Sequence, residues 1–280
     1  MTERSSDSPV FRLAHSEYDR DMMYGKRFVN CSLGMVVLAV AAAASGCGSF
    51  KKTPIVIFLD GASWFTAGGS VEHGLRAAGY DGDFNNYLWT SFLGWGPDHL
   101  VVARTSFKAR SLATRIVALR DRYPDGQVHL MGLSAGTAII LNALEQLPDG
   151  VDVDHVVLFS SSVSAQRDLT PALHHVKGNL YATCSRGDLI LRSLPINADG
   201  GDGPPAGRTG FRVPAHLTPD ARSAYSRVVN LHWAPAYTGF GWDGGHVSAT
   251  SWVFVKAVIA PRVFSTSSFP LDRPLLQKET

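Results

Sequence analysis

The apolar positions of this chain fall into short unbroken runs separated by longer stripes of helical period. Pro54-Ile55-Val56-Ile57-Phe58-Leu59 is uninterrupted and β-branched, the pattern of a strand buried on both faces, and it ends in the turn Asp60-Gly61-Ala62-Ser63-Trp64. Residues 69–78 read as helix and residues 84–90 as a further strand. From about Ser106 to Tyr123, Leu112, Ile116, Val117 and Leu119 share one helical face, and Pro124-Asp125-Gly126 stops that helix. A second unbroken run, Val128 to Leu133, passes directly into the helix former Thr137-Ala138-Ile139-Ile140-Leu141, which extends to Leu147 before Pro148-Asp149-Gly150. Three more runs, residues 155–159, 179–183 and 227–231, read as strands. A last helix is predicted over residues 248–259, ending before Pro261. Strands alternating with helices at this spacing predict an α/β domain with a mainly parallel sheet, right-handed crossovers and helices on both faces.

The first part of the chain lacks this pattern. Residues 1–21 are polar and patternless. Lys26 and Arg27 then precede the apolar stretch Leu33 to Ala44, which is followed by Ala44-Ser45-Gly46-Cys47. A basic segment, a short apolar core and small residues define an export signal, and the start that such a signal implies is Met22 or Met23. Ala44-Ser45-Gly46-Cys47 resembles a bacterial lipobox with Ala44 in place of the usual leucine. The resemblance implies lipidation at Cys47 and an exported, membrane-anchored protein on the periplasmic side of the cell envelope. A plain secreted form and an uncleaved anchor are the alternatives. The domain boundary therefore falls at Cys47, with an N-terminal extension and signal segment over residues 1–47 and one globular domain over residues 48–280.

Composition narrows the function. The 280 residues are 45% hydrophobic and 18% charged, enough apolar material for one sizeable core. The net charge of +2 and the lack of a dense Lys/Arg cluster give nucleic-acid binding no support. No metal-ligand spacing is visible among the histidines, so no metal and no cofactor are expected. Of Cys31, Cys47 and Cys184, only Cys184 would remain free in a mature chain, and no disulfide is expected.

The chemistry concentrates at Gly132-Leu133-Ser134-Ala135-Gly136, where the second strand run meets its helix. A serine hydroxyl becomes a nucleophile only when a base takes its proton and donors hold the oxyanion that forms. Flanking glycines allow close backbone approach, and the helix N-terminus supplies unpaired N–H groups. Gly-x-Ser-x-Gly between strand and helix resembles the nucleophile elbow of the α/β-hydrolase family. The resemblance implies an α/β-hydrolase fold, here without a large cap because the connector from Ser160 to Gly178 is short. It also implies a serine hydrolase of the esterase or lipase kind, acting on small-molecule or lipid esters, with thioesters and amides in the same class.

In that family the order is serine, acid, histidine. Asp188 lies just past the run at residues 179–183 and is the expected acid; Asp199, Asp202 and Asp220 are rivals in or after a Gly/Pro-rich stretch. His246, in Trp242-Asp243-Gly244-Gly245-His246, is the expected base, with Gly244-Gly245 giving the ring freedom to reach the serine. His232 is the competing base, and Asp243 is a second candidate to orient His246. The oxyanion donors are expected to be the amides of Ala135 and Ala62. Asp60 departs from the His-Gly common at that loop, and a carboxylate there opposes an oxyanion unless it is paired or turned away. That departure supports an alternative reading, a hydrolase-like binding or scaffolding lipoprotein without activity. Trp64 and Phe92-Leu93-Gly94-Trp95-Gly96 are candidate apolar walls. Residues 198–214 are expected to form a mobile surface loop.

Overall fold

The computed structural model describes residues 54–62, 66–90, 106–194 and 196–264, all within the unit Ser49–Thr280. The export segment with Cys31 and Cys47, Trp64 and the Phe92–Gly96 wall lie outside the described residues.

Six parallel strands form one sheet: β1 (Ile55–Leu59), β2 (Asp83–Asn86), β3 (Val128–Leu133), β4 (His155–Phe159), β5 (Leu180–Cys184) and β6 (Val228–His232). Their spatial order is β2-β1-β3-β4-β5-β6. Alternate residues of each strand enter opposite cores. Ile55, Ile57, Leu59, Leu130, Val156, Leu158 and Ala182 face one side, while Val56, Phe58, Met131, Leu133, Val157, Phe159 and Leu231 face the other. Both faces are buried, which is why these strands read as unbroken apolar runs.

The first face is covered by α2 (Ser106–Arg122), α3 (Gly136–Leu144), α4 (Thr170–Leu173) and α7 (Pro219–Tyr225). In α3 every residue except Asn142 is buried, so this helix is core rather than amphipathic surface. Each of its Ile139, Ile140 and Leu141 side chains contributes about 1.5–3 kcal/mol by leaving water. The second face is covered by α1 (Ala67–Ala77) and a C-terminal helix. Gly74 lets the two touch, because a Cβ there would stand 2.6 Å from the Trp252 carbonyl. The short helices α5 (Leu189–Arg192) and α6 (Ala206–Thr209) lie in the connections after β5. This is the doubly wound sheet implied by the family resemblance. Among the described residues no helix is long and apolar enough to cross a membrane, and no cluster of metal-binding side chains occurs.

Three expectations change. Strand β2 covers only Asp83–Asn86; beyond it Leu88 is exposed, and the Trp89 indole donates to the Asp60 carbonyl at 2.8 Å instead of joining a ladder. The last helix does not stop before Pro261. After a 3₁₀ turn at Ser248–Thr250, the chain runs through α8 (Trp252–Phe254), a π-helical turn (Val255–Ile259) and α9 (Ala260–Phe264). The wider π turn precedes Pro261, where an α-helix would set the proline ring against a carbonyl and lack a donor.

Residues 198–214 are not a loose loop. The amides of Ala198, Ala206 and Gly207 donate to the carbonyls of Ser162, Val163 and Ser161, and Gly207 O accepts from Ser185 N. Ala198, Ala206 and Phe211 are buried. The stretch is thus fastened across the ends of β4 and β5.

Candidate active site

In a parallel sheet the carboxyl ends of the strands share one edge, and crossovers deliver reactive loops there. Ser134 follows β3, Asp188 follows β5 and His246 follows β6, so the topology collects all three at that edge.

Ser134 occupies the left-handed region, with φ of 53°. A non-glycine residue there costs about 1–2 kcal/mol, so the surroundings must hold it. Its amide donates to the Phe159 carbonyl at 2.9 Å, and its carbonyl accepts from the Thr137 amide and hydroxyl. The Thr137 hydroxyl also meets Ser161 Oγ at 2.8 Å, tying the elbow to the segment after β4. Gly136 is required by proximity: a Cβ would stand 2.6 Å from the Asp60 carbonyl oxygen and 2.7 Å from that of Leu59. Gly132 is crowded in the same way by the Ile140 side chain at 2.7 Å. Ala135 is the N-cap of α3, so its amide has no carbonyl to bond within the helix. The elbow and the start of the Asp60-Gly61-Ala62 loop are thereby in contact, which places the Ala135 and Ala62 amides on adjoining segments.

The Asp188 side chain is fully buried and uses both oxygens. Oδ1 accepts the Leu191 amide at 2.9 Å, capping α5, and Oδ2 lies 2.7 Å from His246 Nδ1. The cap fixes the carboxylate rotamer, and the second oxygen then fixes the imidazole. With Nδ1–H donating to a carboxylate, Nε2 carries the free lone pair, the tautomer a general base requires.

The His246 loop is held by contacts rather than being free. Gly244 has φ of 89° and packs so closely that a Cβ would come within 3.0 Å of Ser185 Oγ and 3.2 Å of the Trp233 ring. The expected flexibility of Gly244-Gly245 is therefore replaced by a requirement for left-handed backbone and close approach at Gly244. Trp242, which sequence reasoning passed over as a structural residue, is fully buried against Tyr237 and Phe254, and its carbonyl accepts from the Trp233 indole at 2.9 Å. A tryptophan amid glycines was the available signal for such an anchor.

The rivals occupy other places. His232 has its Nδ1 3.3 Å from Cys184 Sγ, and partial burial together with the Arg186 charge keeps its imidazole below the ordinary range. Burial pushes the Cys184 thiol up to about 12, which leaves it un-ionised beside that ring. Asp243 accepts from the Gly245 amide at 2.8 Å and from Ser248 Oγ, and so shapes the turn before His246 instead of orienting the ring. Asp199 accepts from Ser164 and Gly201 amides and lies 3.8 Å from Arg167. The Asp202 carbonyl accepts from Ser164 Oγ, and Asp220 sits in the first turn of α7.

The Asp60 carboxyl is held by neutral donors. Its Oδ2 accepts the Gly68 amide of α1 at 3.3 Å and lies 3.5 Å from Asn86 Nδ2. Burial raises its carboxyl above the ordinary carboxylate range, against the lowering effect of those donors. Ser160, just past β4, was not singled out from sequence; it too has positive φ, 43°, and its amide donates to Thr183 Oγ1 at 3.0 Å.

No protein-family model and no curated protein matches the chain. Among solved structures it is similar to a Trichoderma reesei cutinase in complex with a phosphonate inhibitor, at 18% identity over 54% of this chain and 66% of that one, with a TM-score of 0.40. It is also similar to a cutinase-like protein from Cryptococcus sp., at 16% identity over 74% of this chain and 91% of that one, with a TM-score of 0.42. The chain spans just under two thirds of the length of the Trichoderma protein. The parallel sheet order, with Ser134 after β3, Asp188 after β5 and His246 after β6, is consistent with an α/β-hydrolase fold.

Proposed function

We propose that this protein is a serine hydrolase that cleaves carboxylic esters through an acyl-enzyme. The observation that carries the proposal is the buried Asp188–His246 hydrogen bond of 2.7 Å, formed at the sheet edge that also holds Ser134 in its strained conformation. His246 Nε2 takes the hydroxyl proton as Ser134 Oγ attacks the ester carbonyl. The amides of Ala135 and Ala62 hold the tetrahedral oxyanion, and Asp188 stabilises the imidazolium. The C–O bond to the alcohol breaks as His246 returns the proton to the leaving oxygen. Water, deprotonated by the same nitrogen, then attacks the acyl-Ser134, and the carboxylic acid departs with the serine reprotonated. Thioesters and amides would follow the same path with a sulfur or nitrogen leaving group.

A fluorophosphonate probe tests this reading directly. Labelling of the wild type and its loss in Ser134→Ala support it, whereas a folded wild type that takes no label at neutral pH favours the inactive binding protein. Lipidation at Cys47 and placement in the cell envelope belong to the same proposal and rest on the export pattern alone. Cys47→Ser should move the protein from the membrane fraction to the soluble one; unchanged fractionation would remove that part while leaving the chemistry intact.

A further inference from the structure

Asp60 is a buried acid that the proposed reaction does not use. It stands between the end of β1 and the loop that carries Ala62, and two of its groups are engaged. Its carbonyl oxygen accepts the Trp89 indole at 2.8 Å and faces Gly136 of the elbow, close enough to exclude a Cβ there. Its carboxyl Oδ2 accepts the Gly68 amide at 3.3 Å, across the whole excursion that separates β1 from α1. One residue therefore fastens both ends of the donor loop, one through its main chain and the other through its side chain.

The carboxyl is poorly served as an anion. The residue is 5% exposed, and Oδ1 has no hydrogen-bond partner. From α1 it meets the amides of Ala67 and Gly68, with no acidic residue in the first turn; from β2 it meets only the neutral Asn86. On the elbow side it is the Asp60 main-chain carbonyl, and not the carboxyl, that faces Gly136. Asp188 and His246 lie after β5 and β6, beyond β3 and β4. Among the described residues no cation pairs with it. A buried carboxyl without a cation takes up a proton to avoid the cost of an unsolvated charge.

We propose that Asp60, in its uncharged form, is a positioning residue that clasps the Ala62 donor loop, and that its ionisation weakens the oxyanion site. The inference rests on the serine-hydrolase reading for its effect on rate but not for the state of Asp60 itself. A negative charge two residues from the donor amide opposes the charge developing in the transition state, and it disturbs the loop that aims the donor. The raised carboxyl range agrees with this arrangement.

The test compares wild type with Asp60→Asn and Asp60→Ala. The asparagine keeps an acceptor for Gly68 and cannot ionise, so the ratio of its kcat to that of wild type should rise with pH. The alanine removes the clasp, and kcat should fall about tenfold to a hundredfold with KM little changed, in a protein whose unfolding remains cooperative. At pH 5, where an aspartate at about 3.9 is ionised, wild type should show the infrared carbonyl stretch of a protonated acid that Asp60→Asn lacks. A pH-independent kcat ratio, or the absence of that band, would overturn the proposal. If wild type turns over no ester, the serine-hydrolase reading fails, and the infrared difference still decides the state of Asp60.

Discussion

Asp188 presents one carboxylate oxygen to His246 Nδ1 at 2.7 Å and the other to the Leu191 amide at 2.9 Å. The same side chain thus begins a helix and orients an imidazole, and the two roles separate by substitution. Asp188→Asn keeps an acceptor for the cap, but its amide donates to Nδ1 and reverses the tautomer. Labelling by a fluorophosphonate should slow about 10³–10⁴-fold with a small change in Tm. Asp188→Ala should lose labelling to the same extent and about 1 kcal/mol of stability besides, read by urea denaturation. Equal stability losses in the two variants would show that the cap is not what the carboxylate contributes.

The two histidines are expected to differ sharply. His246→Ala removes the group that faces Asp188 and should reduce the second-order labelling rate by about three orders of magnitude or more. His232→Ala removes a ring whose near neighbours are Cys184 and Arg186, and the rate should stay within about twofold of wild type. Loss confined to the His232 variant would move the base to the end of β6.

Much of this arrangement could be read from the chain, and the exceptions have physical causes. The runs at Ile55–Leu59 and His155–Phe159 were plain because strands buried on both faces carry no polar interruption. Asp188 was singled out because it follows an apolar run where the family resemblance sets an acid, and it also serves the helix cap that aspartate commonly supplies there. Its contact with His246 was the expected one; what the chain did not reveal is the Asx turn that occupies the rival Asp243 with Gly245 and Ser248. Residues 198–214 look like a loop by composition, yet main-chain hydrogen bonds fasten them, and main-chain bonds leave no mark on residue identity. Pro261 misled for a related reason, since the π turn that accommodates it has no compositional signature.

The elbow glycines are expected to respond unequally. A Cβ at Gly136 meets two main-chain oxygens, of Leu59 and Asp60, which can move only with β1 and the donor loop. Gly136→Ala should cost about 1–3 kcal/mol and slow labelling as well, because the loop holding Ala62 is displaced. At Gly132 the closest atom is the end of the Ile140 side chain, which has another rotamer to adopt. Gly132→Ala should therefore be the milder change in both urea midpoint and labelling rate. The reverse order would mean that the α3 core, not the β1 loop, sets the tolerance of the elbow.

His129 supplies a stability test away from the site. Its ring is fully buried in β3, with neither nitrogen hydrogen-bonded, stacked 5.6 Å from His155 and edge-on to Phe264 at 5.1 Å. Burial, and then the neighbouring His155, push its imidazole far below the ordinary 6.5, and burial lowers His155 as well. The unfolded chain therefore takes up protons that the folded chain refuses, so stability is full above about pH 6.5 and declines as pH falls below it. For His129 alone the loss should reach about 2 kcal/mol by pH 5, since each pH unit below the unfolded value is worth about 1.4 kcal/mol. His129→Phe keeps a ring between His155 and Phe264 but cannot be protonated. Urea denaturation at pH 7 and pH 5 should show a smaller acid loss in this variant than in wild type, with the remaining slope reflecting His155 and the carboxylates. Equal slopes would mean that His129 is reached by water or a proton donor in the folded protein and carries none of the acid sensitivity.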